Sequence, residues 1–409
     1  MSQKIDSLNL DVIVIGAGPA GGSATRELAK RGKKVLLIER SQEIGEPNYS
    51  TAGTPKETIE DFGLPKEVIS ATWDRILFAT PRVQTIYEYP QTVGYVFDFA
   101  KLRKFLAEDA AYHGAEIMVG TSVEDFVEEN GKLVGVRYHG ILGDGEARAK
   151  IIIDATGHNE LANVKLKINP ITEEWIVNGI EYVMTGIPEE LKTTLSCYLG
   201  SEYSYHGYSW IFPMNSNRDA KVGTGGVFEQ SPEGVNLENL QEKFIDALPY
   251  FKNMEPIEIH AGAARADGGV KHHVYKNIVL VGDSARQLNP MAGEGIRHAL
   301  QAGRISAEVI NEWLNKPNAT ENGLKEKYEK KWNEIFGTAW RLSHLFMRHA
   351  LTFNDKQWDT AISAAQQLSA EDAFELFFHY KFSVLLKHPM LAKEALKIKF
   401  FQKSGNKRN

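Results

Sequence analysis

Cysteine occurs once in the 409 residues, at Cys197. A single thiol excludes an intramolecular disulfide and any cysteine-rich metal centre, and it fits a reducing cytosol. Long apolar runs are missing too: nowhere do about eighteen apolar residues stand together, so nothing should span a bilayer. Residues 1–10 hold no apolar core of signal-peptide length, and a cytoplasmic protein is expected. There is no excess of basic residues. The net charge of −6 argues against nucleic acid, whose partners favour a strongly basic face. His272 and His273 are adjacent, and neighbours on a strand point to opposite faces, so no metal site is expected. Internal repeats and low-complexity tracts are absent. What remains is 43% hydrophobic and 24% charged, the balance of a soluble globular protein. The length allows two or three domains or one large interleaved unit.

The most informative stretch runs from Asp11 to Gly21, a short buried strand leading into a glycine-rich turn and a helix through about Lys30. Gly16 permits the tight turn, Gly18 lets a pyrophosphate approach the backbone, and Gly21, after Ala20, lets helix and strand pack closely. N–H groups at the helix start, with the positive end of its dipole, face the phosphates. A second strand, Lys34–Ile38, ends in Glu39 and Arg40. A carboxylate at Glu39 suits an adenosine ribose and disfavours a 2′-phosphate.

Beyond it, residues 41–53 are polar and punctuated by Gly and Pro, a loop that reaches toward the cofactor. Short helices are expected at 58–62 and 66–70, and a hairpin from strands 76–80 and 83–89. Strand 95–97 precedes a helix over 100–112. Strands follow at 115–119, 122–129, 133–138 and 149–154, the last ending in Asp154-Ala155-Thr156-Gly157. From about 165 to 264 helix signals nearly vanish. Strands are expected at 176–184, 194–199, 208–212, 221–228 and 257–261, with one helix over 237–248. The nucleotide fold resumes at 277–283, a long helix covers 295–314, and residues 323–401 read as helices, including 325–336 and 339–351. The fold class is therefore α/β. A Rossmann-like nucleotide domain comprises 1–80, 95–164 and 265–322. A β-rich substrate domain comprises 81–94 and 165–264, and a helical region closes the chain over 323–409.

Two further segments extend the nucleotide site. Gly282-Asp283 ends a buried strand, where an aspartate can bond a polyhydroxyl chain such as ribitol. Pro290-Met291-Ala292-Gly293-Glu294-Gly295-Ile296 opens a helix whose N–H groups and dipole can face an electron-rich ring edge. A flavin needs such fixed donors, because reduction places negative charge on that edge. The three segments together point to FAD.

With the β-rich insertion between them, they resemble the flavoprotein superfamily of aromatic hydroxylases, lycopene cyclases and geranylgeranyl reductases. Gly207-Tyr208-Ser209-Trp210-Ile211-Phe212-Pro213, followed by Val222-Gly223-Thr224-Gly225, is similar to the geranylgeranyl reductase signature, as is Asp283 to Arg286. The likeness covers most of residues 10–310. It implies an FAD-dependent oxidoreductase that saturates carbon–carbon double bonds of polyprenyl or similarly long apolar lipids. The same scaffold also serves flavin monooxygenases of aromatic substrates and redox-neutral cyclases.

Tyr208, Trp210 and Phe212 share one strand face and form an apolar wall suited to an extended isoprenoid. The same alternation suits a plain domain core, and the resemblance tips the reading toward substrate. The reaction needs hydride from flavin N5 and a proton for the other carbon. Tyr208, or water near the Pro290–Gly295 turn, can supply that proton, whereas Glu294 reads as an exposed structural carboxylate. Archaeal members carry a cysteine in the loop where Ser50 stands here. Ser50 thus joins Tyr208 and Trp210 among the catalytic candidates, and Cys197, elsewhere in the chain, is no obvious replacement. The family's cofactor-contacting arginine is replaced by Phe99, and Arg103, one turn later, is expected to substitute. No second glycine-rich nucleotide unit exists, so electrons come from transiently bound NAD(P)H or from a donor protein such as ferredoxin. The segment 374–408 mixes aromatics with Lys381, Lys387, Lys393, Lys397, Lys399, Lys403, Lys407 and Arg408. That suits peripheral contact with an anionic membrane as well as a packed helical cap.

Overall fold

The structure, a computed structural model, describes residues 10–141, 143–170, 175–227, 236–251, 254–388 and 391. Strand Leu10–Ile15 lies at the centre of the first sheet. It pairs in parallel with Val35–Ile38 on one side and Gly145–Asp154 on the other. Beyond these lie Glu116–Met118 and Ile278–Leu280, also parallel, and Val274–Tyr275 closes one edge antiparallel. The run Val12–Ile15 is apolar on both faces because both are covered. Val12 and Val14 pack with the helices Pro19–Lys30 and Ile296–Leu314. Ile13 and Ile15 pack with Phe126, Leu133 and Val136 of the hairpin Thr121–Glu129/Lys132–Gly140.

The second sheet has seven strands in the order Pro256–Arg265, Ile176–Met184, Asp219–Val227, Gly207–Met214, Thr194–Tyr198, Arg75–Ala79 and Gln84–Glu88. Its neighbours are antiparallel except Thr194–Tyr198 with Arg75–Ala79. Helix Leu237–Ala247 covers one face through Leu240 and Phe244. The expected helix over 66–70 is instead a single 3₁₀ turn, Lys66–Val68, followed by a strand, Ile69–Trp73. That strand joins a three-stranded sheet with Gly94–Phe97 and Gly53–Pro55, because the fully buried Trp73 needs a partner surface and stacks on Phe378.

Among the described residues, the α-helices Glu321–Trp332, Thr338–Ala350, Asp355–Ala365 and Ala370–Phe377 follow the long Ile296–Leu314 helix. The first two are joined by a π turn at Asn333–Gly337. The tail cations Lys393, Lys397, Lys399, Lys403, Lys407 and Arg408 lie outside the described residues.

Candidate active site

The glycine-rich turn is built as its spacing requires. Gly16 has φ +100°, and a Cβ on Gly21 would overlap the Gly16 carbonyl oxygen. A Cβ on Gly18, by contrast, would meet nothing within 4 Å, so the backbone there faces open space. Glu39 is buried at the end of its strand. The Ala17 N–H donates to its Oε2 at 2.7 Å and the Ser41 N–H to its Oε1 at 2.9 Å. Arg103 lies with Nη2 4.0 Å from that carboxylate and donates to the carbonyls of Ala17 (3.2 Å) and Pro47 (3.1 Å). Burial lowers the guanidinium pKa, and Glu39 and Glu46 work against that shift. Arg103 therefore ties the nucleotide turn to the loop that carries Ser50. Arg40 is exposed.

Gly282 follows the strand Ile278–Leu280, and a Cβ added there would stand 2.8 Å from the Ala20 Cβ, so the two motifs meet. The Asp283 side chain is half-buried, burial raises its pKa, and no described residue hydrogen-bonds its carboxylate. Asp154, in contrast, is fully satisfied by Thr156, Ser284 and the Ala162 N–H, which locks the strand end beside Gly157. The turn after buried Pro290 is closed by the Asn289 side chain, which accepts from the Met291 and Ala292 N–H groups, and Gly293 has φ +66°. Helix Ile296–Leu314 starts immediately after Gly295.

Glu294 is not the exposed carboxylate expected. Its side chain is 9% exposed, takes two 2.7 Å hydrogen bonds from Arg297 and accepts from the Tyr380 hydroxyl at 2.6 Å. Burial opposes the charge, yet Arg297 and the neighbouring donors hold the carboxyl down to about 2. Arg297 lies one helical turn away, but Tyr380 comes from the far end of the chain. A firmly ionised Glu294 is a fixed anion and a poor acid.

Tyr208, Trp210 and Phe212 are half-buried on one face of Gly207–Met214, while Ser209, Ile211 and Pro213 face the interior. The Tyr208 hydroxyl donates to the Ala292 carbonyl at 2.9 Å, joining the aromatic strand to the turn that opens the long helix. The Trp210 indole lies over Gly179, Gly223 and Gly225, and a Cβ at Gly223 would overlap the ring. Phe212 packs against the hydrophobic cluster that includes Trp73 and Leu195. Cys197 is brought close to the aromatic block by the sheet. It sits opposite Trp210 on the adjoining strand, hence on the same face, because register brings together residues that the chain separates. Burial pushes its thiol up to about 12, so it is a neutral thiol at physiological pH.

Three buried ionisable residues escaped sequence reasoning. Glu181 accepts from the Trp210 indole N–H (2.9 Å) and the Thr51 hydroxyl (2.6 Å). The Lys221 ammonium donates to the Ser50 carbonyl. His260 lies across from Glu181, Nδ1 to Oε1 3.9 Å. Burial opposes the Glu181 charge, but His260 and Lys221 beside it keep its pKa below the usual range. The available signal was an ionisable residue within each of three segments read as strands, 176–184, 221–228 and 257–261.

Residues 11–165 match the family described as FAD dependent oxidoreductase, and residues 176–264 match the geranylgeranyl reductase catalytic domain. A digeranylgeranylglycerophospholipid reductase of Methanocaldococcus jannaschii is 33% identical over 395 residues, covering 94% of this chain and 96% of that protein. One from Methanosarcina acetivorans is 31% identical over 95% of this chain and 97% of its own length. A crystal structure of a geranylgeranyl bacteriochlorophyll reductase-like protein from Thermoplasma acidophilum superposes with a TM-score of 0.82 at 25% identity, covering 94% of this chain and 99% of that one. A triple mutant of the flavin-dependent brominase Bmp2 shares the fold at 18% identity and TM-score 0.73, covering 94% of this chain and 99% of that one.

Proposed function

The chain belongs to the geranylgeranyl reductase family of FAD-dependent oxidoreductases, which reduce carbon–carbon double bonds of geranylgeranyl lipids, and we propose that its own substrate is a polyprenyl chain carried on a glycerophospholipid. The residues present fit FAD. The space at Gly18 is open for a pyrophosphate, and the Asp283 carboxylate, without a hydrogen-bond partner among the described residues, is available to a ribityl hydroxyl. In this reading Gly16, Gly18, Ala20, Gly21, Glu39, Arg40, Arg103 and Gly157 hold the adenosine and pyrophosphate half. Gly282, Asp283 and the turn Pro290 to Ile296 hold the rest. When bound and reduced, FAD supplies the hydride.

The aromatic strand lays the lipid beside that site. The observation that carries the reading is the hydrogen bond from Tyr208 to the Ala292 carbonyl, which fixes one end of the wall against the cofactor-side turn. Trp210 supplies a flat apolar surface that excludes water, and Phe212 continues it. The proton for the second carbon comes from the Tyr208 hydroxyl or from water at the same turn. Burial keeps that phenol protonated. Ser50 lines the path without a cysteine's chemistry. Electrons reach the site from NAD(P)H or a ferredoxin-like donor. The aromatic and cationic C-terminal segment favours peripheral contact with anionic lipid. Among the described residues no helix is long and apolar enough to cross a membrane.

The test is anaerobic reduction of the holoprotein followed by addition of an unsaturated archaeal-type glycerophospholipid. Flavin reoxidation should coincide with a gain of two hydrogens per bond in that lipid, and Trp210→Ala should slow both by at least about tenfold. Reoxidation that requires oxygen and leaves the lipid mass unchanged would sink the reading.

A further inference from the structure

Three consecutive loop residues are each held by a different member of the buried cluster, on three different strands. The Tyr49 ring packs on the His260 imidazole with centroids 4.4 Å apart. The Ser50 carbonyl accepts from Lys221 of Asp219–Val227, and the Thr51 hydroxyl donates to Glu181 of Ile176–Met184. Glu181, Lys221 and His260 are 5%, 6% and 7% exposed, whereas Tyr49 is 49% exposed. The cluster is thus interior and the loop lies over it from outside. From the other side the same loop is tied to the nucleotide-binding half: Pro47 O to Arg103, Asn48 Oδ1 to the Ala100 N–H and Ala52 O to the Phe97 N–H.

Burying a carboxylate, an ammonium and an imidazole in one sheet is costly unless each charge is compensated. A plain apolar core would be at least as stable, so the charges call for another use. Glu181 holds two groups with one oxygen, the Trp210 indole of the wall and the Thr51 hydroxyl of the loop. It thereby fixes the distance between them.

We propose that Glu181, Lys221 and His260 are positioning residues for the reaction, clamping residues 49–51 against the aromatic wall and setting the width of the path in which the polyprenyl chain lies. The proposal rests on the reading that Tyr208, Trp210 and Phe212 take the lipid.

The FAD-loaded protein is compared as wild type, Glu181→Gln, Thr51→Val and Tyr49→Ala, by backbone hydrogen exchange over residues 48–53 and by KM and kcat for the unsaturated lipid. Loss of a charged hydrogen bond should speed loop exchange by about tenfold or more. KM should rise more than kcat falls. Glu181→Gln removes the strongest of the anions acting on Lys221, leaving Asp98 and Glu258; if that variant fails to fold, Thr51→Val and Tyr49→Ala alter only the loop and carry the test. Unchanged exchange in both loop variants overturns the clamp. Faster exchange with unchanged KM and kcat overturns its part in the reaction. Trp210→Ala, run alongside, separates the two ideas. If it alone loses lipid reduction, the wall stands and the clamp falls; if it turns over normally, the wall reading and the clamp fall together.

Discussion

Glu294 sits at the start of a helix and is held by a tyrosine 86 residues away, and its charge is a stability element as well as a neighbour of the site. Its folded pKa lies near 2 against an ordinary value of 4.5. The stabilisation from this depressed carboxyl is fully present above about pH 4.5 and is lost as pH falls toward 2, worth about 3 kcal/mol at neutral pH. Glu294→Gln should lower unfolding free energy by roughly that amount at pH 7, with the gap closing between pH 4.5 and 2 in urea titrations. A gap that stays constant across the window counts against the ion pair. Two glycines of the nucleotide turn make a second contrast at the same scale. Gly21→Ala forces a methyl into the Gly16 carbonyl and should destabilise the fold. Gly18→Ala meets no protein atom, so it should keep the wild-type Tm while the purified protein carries less FAD, read from its visible absorbance.

The strand Gly207–Met214 divides its residues between two faces, with Ser209 and Ile211 in the core and the aromatics half-buried on the other. That alternation is legible in the sequence, as is the pairing of an aromatic block with a later Gly-x-Gly. The reason for the glycines is not legible, since it lies in the register that sets Trp210 over Gly223. Gly223→Ala should tilt the indole and cut lipid turnover by about tenfold or more at unchanged flavin content, measured as kcat per bound FAD. Wild-type turnover would show that the indole's seat is unimportant. The strand Ile69–Trp73 was missed for a related reason: its partner, Gly94–Phe97, lies some twenty residues on, and locally the segment resembles a helical turn.

On the scale of the whole molecule, the nucleotide-binding sheet and the seven-stranded sheet meet through the loop 47–52 and the Tyr208–Ala292 bond. The cations beyond Lys387 add a prediction about membrane contact. Co-sedimentation with anionic vesicles should fall several-fold when the chain is cut before Lys393, and the loss should diminish in high salt. Equal sedimentation of the two chains would remove the tail from membrane contact.

The sequence by itself determined that the cofactor is a dinucleotide. A strand, three spaced glycines, a helix and an acid at the next strand end impose a local backbone geometry that few other arrangements satisfy, and that geometry needs no distant contact to be read. The Pro290–Ile296 turn and the face shared by Tyr208, Trp210 and Phe212 were legible for the same reason. Only the tertiary structure decided where charges and the lone thiol stand: Glu294 buried on Arg297 and Tyr380, Cys197 opposite Trp210, and Glu181, Lys221 and His260 beneath residues 49–51. These placements depend on strand register and on packing between residues tens to hundreds of positions apart, and neither is encoded in the spacing of neighbours.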